Sequence, residues 1–274
     1  MVSYYHQRSH GKLMIDFHTH CFPDSLSARA ISLLSEAADI PPCTDGTVSG
    51  LRRSMDRAGV CFSVIQPIAT KPSQTPSVNN WATEVQDDRI LAFGTLHPRF
   101  EQWESEAERI KALGLRGVKF HPDYQDFWVD DESMIPIYKK LSELDLVILL
   151  HAGIDIGLPP PCHCPPERLA RVVEAVPEAR IVAAHMGGFR CWDDVERHLV
   201  GLNLFFDTSY TLGHMSDEQF CRILHNHGTD RCLFGTDSPW ADQQAEIQKL
   251  TALDLSPAIR QAIMAENAKR LLRL

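Results

Sequence analysis

Two histidines separated by one residue, His18 and His20, end an apolar segment and are followed at once by a loop that contains Pro23 and Asp24. Residues two apart on a β-strand point to the same face, so we expect both imidazoles to project together. Two buried neutral imidazoles would lose their hydration without compensation if they bound nothing. The pair therefore predicts a chelating site for a divalent metal ion.

Two further groups that are able to bind such an ion follow other apolar segments. His151 comes near the end of LVILLHAG (146–153), and Asp237 comes near the end of CLFGTDSP (232–239). Three imidazoles and one carboxylate suit zinc best, with iron, manganese and cobalt as alternatives. The predicted ligands of one divalent ion are His18, His20, His151 and Asp237.

The apolar segments alternate with amphipathic stretches of helical length, a pattern typical of βα units in a parallel sheet. Eight strand-helix units in about 250 residues match a closed (β/α)8 TIM barrel of the α/β class. An open doubly wound sheet is the second choice, but no GxGxxG motif supports a nucleotide site. The predicted strands are 13–20, 60–69, 89–98, 115–122, 146–153, 180–187, 202–209 and 232–239.

In such a barrel the chemistry lies at the C-terminal ends of the strands. Polar groups occur at these ends on six predicted strands: His18 and His20, Lys119 and His121, His151, His185, Asp207 and Asp237. Asp16 is predicted on the inward face, one layer below His18, either to orient an imidazole or to pair elsewhere. Alternation predicts that Phe17 and Thr19 face the outer helices.

Composition limits the possible partners. The chain carries 27 basic and 36 acidic residues, for a formal net charge of −9, and it has no basic cluster suited to nucleic acid. No apolar stretch reaches the roughly 18 residues of a membrane helix, and the opening MVSYYHQRSHGK lacks the apolar centre of a secretion signal. We expect a cytoplasmic protein with a small-molecule substrate.

Cysteine usage and length indicate one large reduced domain. The eight cysteines are scattered, which is unlike the disulfide framework of a small secreted chain. Only one residue separates Cys162 from Cys164, whereas two to four residues separate the paired cysteines of structural zinc sites. A proline-rich loop with incidental thiols is therefore favoured over a metal or redox role. Residues 13–274 are predicted to form a single barrel domain, with 1–12 as a detachable extension.

Five motifs in order along the chain resemble the amidohydrolase superfamily: HTH (18–20), HAG (151–153), AHMGG (184–188), FGTDSPW (234–240) and ENAKRLL (266–272). The sequence is most similar to the branch that includes aminocarboxymuconate semialdehyde decarboxylase and related small-substrate hydrolases. The resemblance implies a distorted (β/α)8 barrel with a divalent metal at its mouth and the same four ligands. The resemblance also matches His185 to the sixth-strand histidine of the family. That histidine acts on the substrate or bound water in one-metal members and binds the second ion in two-metal members. A homodimer is implied by resemblance alone.

Lys119 has two interpretations. Many two-metal members carry a carboxylated lysine or a glutamate on the fourth strand to bridge the ions, and an uncarboxylated ammonium cannot be a ligand. Alternatively, Lys119 is a cation that holds a substrate carboxylate, with His121 beside it. One ion with a substrate-facing Lys119 is preferred, and two ions would require carboxylation. The predicted substrate-binding residues are Lys119, His121, Arg190, Tyr210 and Trp240.

Three functions remain open from the sequence. The first is hydrolysis of a small, carboxylate-bearing amide, ester or lactone by metal-activated water, with Asp237 moving the proton and His185 stabilising the oxyanion. The second is decarboxylation of a small carboxylic acid on the same barrel. The third is a non-catalytic metal-binding protein, which would not need a base as well as ligands. The cationic centre in an acidic protein favours a small anionic substrate.

Overall fold

A computed structural model describes residues 13–274, and the predicted extension 1–12 lies outside the described residues. The strands are β1 (Ile15–Thr19), β2 (Phe62–Ile65), β3 (Ile90–Ala92), β4 (Gly94–Thr95), β5 (Gly117–Phe120), β6 (Val147–Leu150), β7 (Ile181–Ala183), β8 (Phe205–Asp207) and β9 (Cys232–Leu233). The helices are α1 (Asp24–Ala38), α2 (Val48–Ala58), α3 (Thr75–Glu84), α4 (Trp103–Ala112), α5 (Pro122–Gln125), α6 (Met134–Glu143), α7 (Pro166–Ala175), α8 (Trp192–His198), α9 (Asp217–His227), α10 (Gln243–Ala252), α11 (Pro257–Gln261) and α12 (Asn267–Leu272).

All paired strands are parallel, in the orders β1-β2-β3 and β4-β5-β6-β7-β8-β9. Only Phe93 separates β3 from β4, so these two strands are one interrupted barrel strand. The ring closes between β1 and the segment after β9, because the Phe17 amide donates to the Phe234 carbonyl (2.8 Å) and the Asp237 amide donates to the His18 carbonyl (2.8 Å). The predicted (β/α)8 barrel is confirmed.

The helix ends follow their local sequence. The amphipathic stretch after the third barrel strand forms α4, and Gly114 follows its end with a φ of +78°. The stretch after β8 forms α9, which begins after Ser216, whose hydroxyl accepts from the Gln219 amide, and ends at Gly228. Glycine tolerates the positive φ that terminates such helices. None of the helices among residues 13–274 combines the length and apolar character needed to cross a membrane.

β1 contains a bulge that decides which side chains face the barrel interior. Asp16 pairs with Ser63 and Thr19 pairs with Ile65, so β1 has one more residue than β2 between these pairs. An extra residue of this kind breaks the strict alternation of a strand and re-aims the side chains that follow it.

Because of the bulge, two predicted orientations are wrong. Phe17 packs inside the barrel with its ring 5.7 Å from that of Phe93, rather than facing the helices. Asp16 points the other way and accepts from the Gln243 side chain of α10 at 2.7 Å. Its contact with His18 is to the backbone amide, at 3.3 Å, so it does not orient an imidazole. The bulge allows Phe17 and His18 to lie on the inward side in succession.

Away from the barrel mouth, His227 on α9 is a buried neutral histidine. Its Nε2–H donates to the Leu204 carbonyl (2.9 Å), Nδ1 accepts from the Gly201 amide (3.2 Å), and the ring stacks on Phe206. Burial lowers its pKa to about 4. As the pH falls below 6.5, His227 is protonated in the unfolded chain but stays neutral in the folded chain. The contribution of His227 to the free energy of unfolding is therefore fully present above pH 6.5 and is lost as the pH falls towards 4.

His227→Gln is expected to weaken this acid sensitivity. Between pH 7.5 and pH 5 the free energy of unfolding of the variant should fall by about 2 kcal/mol less than that of the wild type. Denaturant titrations at the two pH values measure the difference. His225→Gln, an exposed histidine on the same helix, is the matched control and should behave as the wild type. Equal losses in wild type and His227→Gln would contradict the assignment.

Candidate metal centre

The C-terminal ends of the strands open into a cavity of about 830 Å³. His20 and Asp237 line its floor, and they meet the buried His18 just beneath it. His18 Nε2 lies 3.2 Å from His20 Nε2, and Asp237 Oδ1 lies 3.4 Å from the first nitrogen and 3.2 Å from the second. A tetrahedral ion with bonds of about 2.0–2.1 Å separates its ligand atoms by about 3.3–3.4 Å. The triangle of donor atoms therefore fits a divalent metal.

Hydrogen bonds fix the tautomers of both histidines. His18 Nδ1 lies 2.8 Å from Asp207 Oδ2, and His20 Nδ1 lies 2.9 Å from the Gln66 carbonyl oxygen. A carboxylate and a carbonyl only accept, so each Nδ1 carries the hydrogen and each Nε2 presents its lone pair to the centre. This is the arrangement in which a histidine binds a metal while a second group orients the ring.

The protonation states of His18 and Asp237 are those that metal ligands require. Burial and the nearby Lys119 lower the pKa of His18 to about 4 despite the opposing effect of Asp207, so the imidazole is neutral, as a ligand must be. Burial raises the pKa of Asp237, but the neighbouring imidazoles of His20 and His18 outweigh this effect and bring the pKa to about 2. Asp237 is therefore ionised at neutral pH.

The residues that follow β7 and β9 adopt uncommon backbone conformations. The predicted strands 180–187 and 232–239 end earlier, at Ala183 and Leu233. His185 and Asp237 lie just beyond these ends, with φ values of +59° and +71°. Positive φ is unfavourable for a side chain larger than glycine, so regular strand geometry cannot continue through these positions. The strands were predicted too long for this reason.

The fourth predicted ligand, His151, lies in a neighbouring set. His185 Nδ1 is 2.9 Å from the Ser209 carbonyl and must donate to it, which leaves Nε2 of the neutral ring to accept from His151 Nδ1 at 3.1 Å. His151 Nε2 is then a buried lone pair without a hydrogen-bond partner. His151 groups with His121 and Asp155, and the ligand atoms of these three lie within 4.8 Å of one another. An unpartnered buried acceptor is a position that a bound ion would satisfy.

Two predicted substrate-binding residues, Lys119 and His121, also reach the floor. Lys119 is only 1% exposed, its Nζ lies 3.3 Å from His18 Nε2, and burial lowers its pKa to about 8. His121 Nδ1 accepts from the Tyr124 amide at 3.4 Å, so its Nε2–H donates to Asp155 at 3.0 Å. The His121 ring stacks on His151, with 4.0 Å between centroids.

The remaining predicted residues separate into two groups. Tyr210 and Trp240 line the cavity, as expected. Arg190 is exposed, is not among the lining residues, and stacks its guanidinium 5.4 Å above the Phe189 ring. Asp207 is fully buried behind His18 and faces no substrate space.

The prolyl loop after β6 contributes to the cavity mainly through apolar residues. Ile154, Asp155 and Ile156 line the cavity. Cys162 and Cys164 are free thiols, like the other six cysteines, and Cys162 Sγ donates to the Gly153 carbonyl at 3.0 Å. These contacts favour the interpretation of the two cysteines as incidental loop residues.

Sequence reasoning missed three groups that shape the site. Gln66 presents a backbone carbonyl to His20, and Asp155 pairs with His121. Ser209 lies between the two halves of the floor: its hydroxyl donates to Asp207 and lies 3.1 Å from His18 Nδ1 and 3.0 Å from His185 Nδ1. The DTS segment at the end of β8 is a signal for such a polar layer, but it does not show which imidazole each oxygen would meet.

Asp207→Asn is expected to weaken metal binding by about 10–100-fold, because a neutral amide accepts the His18 hydrogen bond less strongly and no longer raises the basicity of the ring. Chelator competition on the purified protein measures this affinity. Asp193→Asn, an exposed site on α8, is the control and should bind metal as the wild type does. Unchanged affinity in Asp207→Asn would show that His18 does not depend on this carboxylate.

Comparison with known proteins identifies both a family and a fold. A family model described as amidohydrolase matches residues 15–274, whereas no curated protein matches the sequence. The fold is similar to that of 5-carboxyvanillate decarboxylase from Sphingomonas paucimobilis, with a TM-score of 0.74 and 14% identity over 96% of this chain and 100% of that chain. An uncharacterised TIM-barrel protein from Bordetella bronchiseptica has a TM-score of 0.73 and 19% identity over 95% and 98% of the two chains.

A third similar structure contains a bound metal and inhibitor. It is a dihydroxybenzoic acid decarboxylase from Polaromonas sp. JS666 with manganese and 2-nitroresorcinol, and it has a TM-score of 0.71 and 17% identity over 96% and 98% of the chains.

Proposed function

The chain belongs to the amidohydrolase family, and from this premise we propose that it is a metal-dependent decarboxylase that releases carbon dioxide from an aromatic or other small carboxylic acid. The observation that carries the proposal is the buried Lys119 ammonium beside His18 and the other metal-binding groups, at the floor of a largely apolar cavity. Hydrolysis, the first expectation from the sequence, uses the same ligands. Decarboxylation is preferred because similar barrels include decarboxylases of carboxyvanillate and dihydroxybenzoic acid.

The proposed metal site consists of His18, His20 and Asp237, with His151 as the fourth ligand. A divalent ion held there would supply positive charge that polarises the oxygen atoms of the substrate. One ion is proposed, with Lys119 as an uncarboxylated ammonium. Histidine and carboxylate ligands suit zinc, and the Polaromonas structure with manganese makes that ion the second candidate.

Lys119 is proposed to hold the substrate carboxylate. A charge-assisted hydrogen bond from a buried ammonium is about twice as strong as a neutral one, and Lys119 has no carboxylate within ion-pair distance among residues 13–274. Tyr210 and Trp240 are proposed to contact the rest of the substrate from the cavity wall. Arg190 is not retained in this role because it lies outside the lining.

The apolar walls favour loss of the carboxylate charge. Removing a carboxylate from water raises its free energy, whereas the carbon dioxide that leaves is uncharged. The bond between the substrate carbon and the carboxyl carbon breaks, and the electron pair stays on the substrate carbon. That carbon then takes up one proton, so the acid anion and a proton become carbon dioxide and the protonated product.

The proton is proposed to reach the substrate carbon through His185, whose neutral Nε2 first takes it up from water, while His151 remains a metal ligand. Asp237, with a pKa of about 2, is ionised at neutral pH and can accept a proton but has none to give. His185 lines the cavity and is anchored by the Ser209 carbonyl, which directs its Nε2 edge towards His151 at 3.1 Å. A proton on this edge is within reach of the cavity floor.

Product analysis tests the proposal. Purified protein of known metal content is incubated with a panel of hydroxybenzoic acids, other small carboxylic acids and lactones, and both carbon dioxide and hydrolysis products are measured. We expect carbon dioxide from at least one acid, and none with Asp237→Asn. Hydrolysis products without carbon dioxide would overturn the proposal in favour of a hydrolase. Elemental analysis of the same sample gives the identity and number of ions per chain.

A further inference from the structure

The cavity extends well beyond its polar floor along a wall formed by α1, α3 and the loop after β6. Three large hydrophobic side chains are exposed among residues 13–274, and all three line this cavity: Leu26 (55%), Leu33 (57%) and Ile154 (41%). Single exposed apolar residues are common on any surface, but a contiguous group at one opening marks a place where something binds.

Helix α1 has more apolar surface than its packing requires. Ile31 is buried against the body of the protein, which is the face that a surface helix normally needs. Leu26, Leu33 and Leu34 instead line the cavity, at the i, i+7 and i+8 spacing of one helical stripe. This second stripe does not serve the core, and across the cavity it is completed by Trp81 of α3.

Charge and apolar surface are segregated within the cavity. Of its charged lining residues, Lys119 and Asp237 lie at the floor and Asp155 is bound to His121, which leaves Arg29 of α1 as the single charge on the outer wall of the described cavity. Its volume of about 830 Å³ is near the upper end of the range of about 300–1,000 Å³ that holds drug-sized ligands. A single-ring acid bound at Lys119 would leave the α1 wall uncovered.

We propose that this wall is a subsite for an extended apolar group on the substrate, such as an alkyl chain or a second ring, so that the enzyme prefers elongated amphipathic acids to single-ring acids. The inference rests on the proposed function, since it takes the carboxylate to be held at the floor. The occupant is the substrate because the wall and the floor belong to one cavity, so an elongated ligand anchored at Lys119 can extend along α1 without any further partner.

Equilibrium binding of unreactive straight-chain carboxylates, from butanoate to decanoate, tests the subsite by calorimetry below their micelle concentrations. Burial of one methylene is worth a factor of about four in Kd, and ordering of the chain reduces this gain, so Kd should fall about two- to fourfold per added methylene. In Leu33→Ser the dependence on chain length should be clearly weaker. Ala37→Ser, exposed on the same helix and outside the cavity lining, should keep the wild-type dependence.

Binding and turnover separate the two proposals. A chain-length dependence that Leu33→Ser weakens would support the subsite even if no acid were decarboxylated. A Kd constant within about twofold from butanoate to decanoate would overturn it, even if single-ring acids were decarboxylated. If Leu33→Ser lowers the oligomeric state measured by light scattering and leaves the chain-length dependence intact, the α1 stripe covers a second copy of the chain and the proposal is wrong.

Discussion

Asp237→Asn is expected to abolish turnover while the protein stays folded. The substitution removes the only anionic member of the proposed ligand set, which lies 3.2 Å from His20 Nε2 and 3.4 Å from His18 Nε2. Loss of a metal contribution of several kcal/mol corresponds to a fall in kcat/KM of at least about 10³-fold. Carbon dioxide release, metal content and circular dichroism of the same preparation measure the three parts of this prediction.

The fold should tolerate this change for two reasons. The hydrogen bond that anchors the segment runs from the Asp237 backbone amide to the His18 carbonyl, and an asparagine keeps it. The φ of +71° lies in the left-handed region, which asparagine enters as readily as aspartate. Asp242→Asn, five residues further on, keeps the N-terminal cap of α10 and is the matched control. Full activity in Asp237→Asn would rule out Asp237 as a ligand.

The course of the barrel was predictable from the sequence because each strand is a short apolar segment followed by a helix. Apolar runs such as 146–153 can be buried only in a sheet that is covered on both faces. The face of each side chain was less predictable where the strand is irregular. A single extra residue in β1 places Phe17 inside the barrel and turns Asp16 towards α10, and strict alternation has no information about such a bulge.

The site was predictable where chemistry depends on residue type and strand position, and less so where it depends on tertiary contacts. His18, His20 and Asp237 are polar groups at strand ends, and they meet at the barrel mouth. Asp207 has the same position on its strand, but its partner is the far nitrogen of His18, which makes it an orienting group. Whether Asp207 binds the metal or orients a ligand depends on which nitrogen of the His18 ring it contacts. That contact is set by tertiary structure, when the barrel closes and brings β8 against β1.

Lys119→Met is expected to lower kcat/KM for the acid substrate by about 30- to 1,000-fold with the metal retained. Methionine keeps the apolar stem of the lysine and fills a similar volume, so the packing around β5 should be preserved. The ammonium that pairs with the carboxylate is lost, and the loss of one partner of a buried charge pair costs about 2–4 kcal/mol. Steady-state kinetics with metal analysis measure both quantities. Lys139→Met, exposed on α6, is the control.

The metal content of this variant also decides between the two interpretations of Lys119. If the amine holds the substrate, Lys119→Met keeps the wild-type number of ions and loses affinity for the acid. If the lysine is instead carboxylated and bridges two ions, the variant loses at least one ion per chain, and its activity falls in proportion to the lost metal.

Removal of the buried ammonium, whose pKa is lowered to about 8 by burial, relieves an unfavourable desolvation. The variant should therefore be no less stable than the wild type, so lost activity with intact metal and stability would trace to the missing charge at the cavity floor.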